Sequence, residues 1–325
     1  MILLLATGGS AVGEAKDTVP MTTQKKCIVV YTDKYRVNIG PHVFPTEKYA
    51  MIQNRLLEQG LITRHDIIES TSPTQEQLLL VHTPEYLDDL KNLRATARTL
   101  RSELPLTKEI IDAYILCAGG TIQAAEFACK NKGCGIHIGG GFHHAFPAHA
   151  EGFCYINDIA VAIRVAQRAG WCTRAFVVDC DLHQGNGTAR IFQNDPSVFA
   201  FSIHQENNYP VKEKGDLDIG LPDGADDQTY LTQMRTVIPS RLDEFKPDLV
   251  IYVAGADPYQ YDQLGGLRLT KDGLKKRDEL VIGYCHEKNI PLVIVLAGGY
   301  ARDINDTVEI QATTCATGIR FFQNK

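Results

Sequence analysis

The chain alternates between short apolar runs and longer segments with the spacing of amphipathic helices. Apolar runs such as 175–178 and 291–297 are typical of buried strands. Helical patterns cover residues 46–59, 84–100, 107–131, 156–169 and 270–288, and Pro45 suits the start of the first helix. Because strand and helix patterns alternate without a linker or repeat, we predict a single α/β domain whose mainly parallel sheet carries helices on both faces.

The apolar run 175–178 stops abruptly at Asp179, Asp181 and His183. In an open α/β sheet these side chains lie at the carboxyl end of the strand, where such sheets bind ligands. The spacing of two places all three on one face of an extended backbone, and two close carboxylates without a cation would repel each other. The pattern indicates a metal site. The alternative is a capped loop, in which Asp179 and Asp181 only accept hydrogen bonds from turn amides.

A second apolar run, 248–254, also ends in a carboxylate, Asp257. With Asp181 and His183 this residue is a candidate third ligand, and without them it reads as a helix or turn cap. Two carboxylates and one imidazole leave one position of a tetrahedral ion open, which is typical of a catalytic zinc site.

Two further runs end in residues suited to proton transfer and oxyanion binding. Residues 135–138 lead into three glycines followed by His143 and His144, and imidazole is the side chain best suited to proton transfer near neutral pH. The run 291–297 delivers Tyr300 after a glycine turn, where its phenol could donate a hydrogen bond to an oxyanion. The alternatives are surface histidines and a packed aromatic ring.

Together and in their order along the chain, the four strand-end blocks resemble the histone deacetylase family of the arginase-deacetylase superfamily. The resemblance runs from about residue 31 to about residue 302. It also rests on three strings, IGPHVFP at 39–45, GFCYIND at 152–158 and LGGLRLT at 264–270. It implies the arginase-deacetylase fold and a zinc-dependent amidohydrolase that removes an acyl group, foremost acetyl, from the side-chain amine of lysine.

Carried over residue by residue, the resemblance assigns roles to the strand-end side chains. Asp181, His183 and Asp257 become the zinc ligands, and Tyr300 polarises the scissile carbonyl. His144 becomes the general base, and His143, paired with Asp179, supplies electrostatic support.

Two positions depart from the class I pattern of that family. Gln184 stands where many relatives carry another histidine, and Asn186 stands where class I has an aspartate as partner of the second catalytic imidazole. A neutral amide favours imidazolium less than a carboxylate does, so we expect His144 to rest as the free base at neutral pH. The strings DLHQGNG and GGGFHH are most like class IV enzymes and their bacterial relatives.

The resemblance also implies a structural potassium ion and a substrate tunnel. The potassium would be bound by oxygens of Asp179, Asp181, His183, Ser202 and Ile203, although Ser202 alone reads as an ordinary strand-end hydroxyl. Gly152 and Phe153 match one wall of the tunnel, and Tyr209 is the candidate for the opposite wall. We place Gly298 and Gly299 with the substrate-binding residues.

Composition agrees with an enzyme of a reducing compartment. The net charge of -6 gives no basic footprint for nucleic acid, and nine scattered cysteines indicate free thiols. We therefore expect a cytoplasmic protein that does not bind membranes, with an acylated lysine or a small acylated amine as its partner. Residues 1–23 read as a disordered extension before a catalytic domain at 24–325; a cleaved signal there would instead place the protein in the periplasm.

Three other functions share these sequence features. An acetylpolyamine deacetylase or a long-chain lysine deacylase could use every metal and histidine residue named above. A catalytically silent acyl-lysine binding protein would need fewer of them. Manganese chemistry of the arginase type is disfavoured, because the pattern predicts one catalytic metal rather than two.

Overall fold

The protein is described here by a computed structural model covering residues 25–323. An eight-stranded sheet in the order β2-β1-β3-β8-β7-β4-β5-β6 forms its centre, and every neighbouring pair of strands is parallel. The strands are β1 (Cys27–Tyr31), β2 (Ile67–Glu69), β3 (Cys134–His137), β4 (Ala175–Asp179), β5 (Val198–Gln205), β6 (Leu217–Leu221), β7 (Leu249–Val253) and β8 (Leu292–Val295). The predicted fold is confirmed. The predicted extension at 1–23 lies outside the described residues, and the domain limits stay a prediction.

Helices follow most strands and cover the sheet. They are α1 (Lys48–Glu58), α2 (Gln75–Leu78), α3 (Pro84–Lys91), α4 (Lys108–Asn131), α5 (Asp158–Arg168), α6 (Asn186–Phe192), α7 (Asp227–Phe245), α8 (Lys271–Glu287) and α9 (Ile304–Gln323). Within residues 25–323, no helix combines the length and the apolar character that crossing a bilayer requires.

The central strands are buried along their whole length. Every residue of β3, β4, β7 and β8 is buried, because helices cover both faces of the sheet. Strands in such a layer appear in the sequence as continuous apolar runs rather than as an alternating pattern. This explains why the four runs were recognisable in the sequence.

The helix predicted over 84–100 is shorter than its pattern suggests. Helix α3 begins at Pro84 with Thr83 as its cap, but it ends at Lys91, and Leu93 has a φ of +51°. Beyond it, the Thr99 hydroxyl donates to the carbonyl of Arg94 over 2.7 Å and accepts from the amide of Thr96 over 2.9 Å. These hydrogen bonds compete with the helical ones, so the segment folds as a turn before a short 3-10 helix at Leu100–Ser102.

The strands that carry the predicted chemistry are neighbours in the centre of the sheet. Their order is β3, β8, β7, β4, and because they are parallel their carboxyl ends meet at one edge. In register, Asp179 at the end of β4 lies beside Val253 of β7 and Ser202 of β5. The fold therefore gathers side chains that are far apart in the sequence.

Candidate active site

Three buried side chains at this edge form a group that could hold one metal ion. One ligand atom from each of Asp181, His183 and Asp257 lies within 4.8 Å of the other two. The amide of Gly298 donates to Asp181 Oδ2 over 2.9 Å, which fixes that carboxylate. A Cβ on Gly298 would lie 2.2 Å from Asp257 Oδ2, so only glycine lets this backbone approach the carboxylates.

The hydrogen bonds of a capped loop are present as well. Asp179 Oδ1 accepts from the amide of Asp181 over 3.1 Å, and Asp181 Oδ1 accepts from the amide of His183 over 3.0 Å. Asp257 Oδ1 accepts from the amide of Leu182 over 3.0 Å. The two interpretations of this segment are thus compatible, because each carboxylate uses one oxygen to hold the turn.

The charges of this group favour a bound cation. Asp257 Oδ2 is buried, and His183 Nδ1 faces it at 3.3 Å. Burial and the facing Asp181 carboxylate raise the pKa of Asp257 to about 6. Burial lowers the pKa of His183, but hydrogen bonds to Asp181 and Asp257 outweigh it and raise that pKa to about 10. A divalent ion would compensate both carboxylates, and this donor set of two oxygens and one nitrogen fits zinc.

The two adjacent histidines have different partners. His143 Nδ1 lies 2.7 Å from Asp179 Oδ2, and His144 Nδ1 lies 2.8 Å from Asn186 Oδ1. Their Nε2 atoms face each other at 3.1 Å. Both rings are buried, unlike histidines of a surface loop.

The partners separate the proton affinities of this pair. Burial lowers the pKa of His143, but the charges of Asp179 and Asp181 outweigh it and raise the pKa to about 9. Burial, together with the charges of His143 and His183, holds the pKa of His144 well below its usual value. The expected free-base state of His144 therefore has burial as its main cause, ahead of the neutral amide of Asn186.

An aromatic cleft leads to these residues. Phe153 and Tyr300 have ring centroids 6.0 Å apart, and the Phe44 ring lies 6.3 Å from that of Tyr300. The cleft is lined by Phe44, Gly141, Phe142, His143, His144, Gly152, Phe153, Cys154, Asp181, His183, Ala297, Gly298 and Tyr300. Its walls are apolar and its floor is polar, which is typical of small-molecule sites.

Tyr209 lies against the same cleft from the loop after β5. Its ring centroid is 5.3 Å from that of His144 and 6.1 Å from that of His183. Gly152 has a φ of +49°, and a Cβ there would lie 2.7 Å from the Tyr209 hydroxyl. Gly299 is placed differently, because a Cβ on it would contact Thr307 and Ala256, outside the cleft lining.

The residues predicted for potassium lie on the end of β4, on the turn after it and on β5. Ser202 is in register with Asp179, and Ile203 follows it on β5. The Ser202 hydroxyl is 2.9 Å from His204 Nδ1.

Sequence reasoning missed three charged residues around the site. Lys48 is fully buried and donates to the carbonyl of Ala297 over 2.7 Å; burial lowers its pKa to about 8. Asp262 accepts from the amide of Tyr300 over 2.7 Å. Glu151 accepts from the side-chain amide of Asn186 over 2.9 Å. Only Glu151 had a signal, since it directly precedes Gly152 and Phe153, the residues predicted for the tunnel wall.

Comparisons with known proteins agree with this geometry. A sequence model of the histone deacetylase domain matches residues 42–315. An uncharacterised protein of Picosynechococcus sp. is 40% identical over 283 residues, covering 86% of this chain and 94% of the relative. Histone deacetylase 2 of Arabidopsis thaliana is 31% identical, covering 87% of this chain and 78% of the relative.

A more distant relative and a solved structure point the same way. A probable deacetylase of Archaeoglobus fulgidus is 30% identical, covering 78% of this chain and 75% of the relative. The crystal structure of the HDA15 HD domain superimposes with a TM-score of 0.73 at 26% identity, covering 90% of this chain and 88% of that one. The chain therefore belongs to the histone deacetylase family and is a hydrolase of the deacetylase type.

Proposed function

We propose that the protein is a zinc-dependent amidohydrolase that removes an acyl group, foremost acetyl, from the side-chain amine of acyl-lysine. The observation that carries the proposal is that a buried group of two carboxylates and one imidazole lies beside a histidine pair at the floor of an aromatic cleft, with His143 Nε2 3.8 Å from Asp181 Oδ1. A simple acyl-lysine binder has no need of this proton-transfer apparatus.

Asp181, His183 and Asp257 would hold the zinc. When bound there, zinc polarises the amide carbonyl and makes a water molecule more acidic. Tyr300 lines the cleft beside Gly298, where its phenol can donate to the oxygen that becomes negative. Burial and the charge of Asp257 hold the pKa of Tyr300 well above its usual value, so the phenol keeps the proton that it donates.

His144 is the group suited to move the proton. Its Nδ1 faces Asn186, so Nε2, which lies 3.1 Å from His143 Nε2, is the nitrogen left to take a proton from the attacking water. The same nitrogen then delivers a proton to the departing lysine amine. His143, whose charge Asp179 stabilises, stays protonated and lowers the energy of the negative charge that develops beside it.

Two further assignments belong to the same proposal. Oxygens of Asp179, Asp181, His183, Ser202 and Ile203 would bind a structural potassium ion, supported by the register that places Ser202 beside Asp179. A cytoplasmic location would suit the nine cysteines, all of which are free thiols.

The test is steady-state hydrolysis of an acetyl-lysine peptide by zinc-loaded protein, with a zinc-chelating hydroxamate as inhibitor. Loss of an oxyanion donor costs about 10²- to 10³-fold in kcat, so we expect that loss in Tyr300→Phe. Tyr261→Phe is the matched control, because Tyr261 is exposed. Equal turnover of Tyr300→Phe and the unmodified enzyme would contradict the role of Tyr300.

Octanoyl-lysine and myristoyl-lysine peptides and acetylspermidine complete the substrate set. Preference for a long acyl chain would identify a lysine deacylase, and preference for acetylspermidine would identify a polyamine deacetylase. Absence of turnover with every substrate by zinc-loaded protein would overturn the amidohydrolase.

A further inference from the structure

The partner of the proposed general base is itself held by a second carboxylate. Asn186 is buried, and its side-chain Nδ2 donates to Glu151 Oε1 over 2.9 Å. Its Oδ1 accepts from the amide of Gly187 over 3.0 Å and faces His144 Nδ1 at 2.8 Å. Glu151 can only accept and the Gly187 amide can only donate, so both fix the same orientation of the Asn186 amide.

That orientation determines which nitrogen of His144 carries the proton. Because Asn186 presents an oxygen, His144 must donate from Nδ1, and in the neutral ring Nε2 is then left with the lone pair that a base needs. A flipped amide would present Nδ2 to His144 and turn the Glu151 carboxylate against an oxygen. It would also leave His144 with its proton on Nε2, where the ring could not act as a base.

The backbone around Glu151 fixes the carboxylate that orients the Asn186 amide. Glu151 is 8% exposed, and its backbone exchanges two hydrogen bonds with Cys154 of 3.0 and 2.9 Å. The two residues between them, Gly152 and Phe153, both have positive φ and form the tunnel wall. One tight turn thus sets the tunnel wall and the Glu151 carboxylate together.

The outer oxygen of Glu151 points toward the surface. It pairs with Arg101, whose side chain is about half exposed. The neighbouring residue Ser102 accepts a hydrogen bond of 2.9 Å from the amide of Phe153, so this ion pair lies next to the tunnel wall. Contacts run without a gap from Arg101 through Glu151 and Asn186 to His144.

We propose that Glu151 is a positioning residue for the general base: it orients the Asn186 amide and so holds His144 in the tautomer with Nδ1 protonated. The proposal rests on the proposed function. It assigns a role to a residue that does not line the cleft, and it explains how an asparagine can take the place of a carboxylate beside this imidazole.

The first experiment is a double-mutant cycle on kcat with an acetyl-lysine peptide. Loss of a residue that orients a ligand or base costs about 10- to 100-fold, so we expect Glu151→Ala to lower kcat by that factor with little change in KM. Because Glu151 acts through Asn186, the same substitution in an Asn186→Ala background should have almost no further effect. A loss of equal size in both backgrounds would overturn the proposal in favour of a general structural role.

Glu151→Gln separates orientation from charge and serves if the alanine variant fails to fold. The glutamine oxygen can still accept from Asn186, so most of kcat should remain. Arg101→Ala should cost less than Glu151→Ala, since a half-exposed ion pair contributes little. Glu126→Ala, at a partly exposed residue paired with Lys130, is the matched control. A glutamine variant as impaired as the alanine variant would overturn the orientation account.

The second experiment measures the tautomer directly and does not need turnover. In ¹⁵N-histidine-labelled protein, with and without zinc, the His144 signals are assigned by their loss in His144→Asn. We expect a protonated Nδ1 in the unmodified protein and a shift toward protonated Nε2 in Glu151→Ala. An unchanged tautomer would overturn the inference. Absence of turnover with the expected tautomer shift would overturn only the proposed amidohydrolase.

Discussion

His143 and His144 are adjacent in the chain, yet their partners give them opposite proton affinities. The negative charge of Asp179 stabilises protonated His143. His144 instead contacts the neutral Asn186, and the positive charges of His143 and His183 disfavour its protonation. Two titratable groups driven apart in this way can take separate roles as charge and base. At the scale of single residues, the chemistry of this site lies in what each side chain contacts rather than in which side chains are present.

Gly298 shows how a residue without a side chain can control metal binding. In Gly298→Ala the new Cβ would lie 2.2 Å from Asp257 Oδ2 and 2.7 Å from Asp181 Oδ2, so both carboxylates must move. We expect the zinc affinity to fall about 10- to 100-fold or more. The affinity is measured by competition with a chromogenic chelator. Gly283→Ala in α8 is the control, because its Cβ meets only the edge of the Phe321 ring at 3.3 Å. Wild-type affinity in Gly298→Ala would contradict the prediction.

The residues of the site were predictable from sequence to the extent that they end strands. Asp181, His183, Asp257, the histidine pair and Tyr300 each follow an apolar run, so the pattern pointed to them. Glu151, Lys48 and Asp262 contact the site from loops and a helix start. Apart from the position of Glu151 directly before Gly152, no local pattern marks these contacts with residues far away in the chain. Their roles require the tertiary structure.

At the scale of elements, the starts of the helices could be predicted where a capping residue stands in the sequence. Helix α4 begins after Thr107, whose hydroxyl accepts from the amide of Ile110, and α8 begins after Thr270 in the same way. The short helices α2 and α6 and the long helices α7 and α9 were not predicted. In α7 the reason is visible: Pro239 lies inside the helix, and proline in that position signals a break.

Pro239 should therefore destabilise the helix that contains it. Pro239→Ala restores an amide that can donate to the carbonyl of Arg235 and removes a ring that clashes with it. We expect the free energy of unfolding to rise by about 1 to 3 kcal/mol, measured by urea denaturation. Ser240→Ala, an exposed change in the same turn, should alter it much less. A fall in stability with Pro239→Ala would show that neighbouring packing requires the proline.

For the whole molecule, the sheet was predictable because its central strands are buried on both faces and appear as apolar runs. The strand order was not, since it depends on which crossovers pack against the sheet. The same burial encloses histidines that play no part in the site. His82 Nε2 accepts from the amide of Asn157 over 3.1 Å, and burial lowers the pKa of His82 to about 4.

Burial of His82 should make the fold sensitive to acid. Its unfolded pKa is about 6.5, so between pH 6.5 and 4 the unfolded chain binds a proton that the folded protein excludes, and stability falls as pH falls. At pH 5 this amounts to on the order of 2 kcal/mol. His82→Gln should lose less stability than the unmodified protein between pH 7 and 5 in urea denaturation. His65→Gln, at an exposed position, should lose as much stability over this pH range as the unmodified protein. If His82→Gln also lost as much as the unmodified protein, the proposed link between His82 and acid sensitivity would be refuted.

All eight strands run in one direction, and this has a practical consequence for handling the protein. Helix α9 starts just after Tyr300 and runs back along the sheet, so Phe322 near its end lines the same cavity as Lys26, which directly precedes β1. Both ends of the described chain are thus on the side opposite the aromatic cleft. A solid support or fluorescent label attached at residue 25 or residue 323 would leave the mouth of the cleft open to bulky peptides.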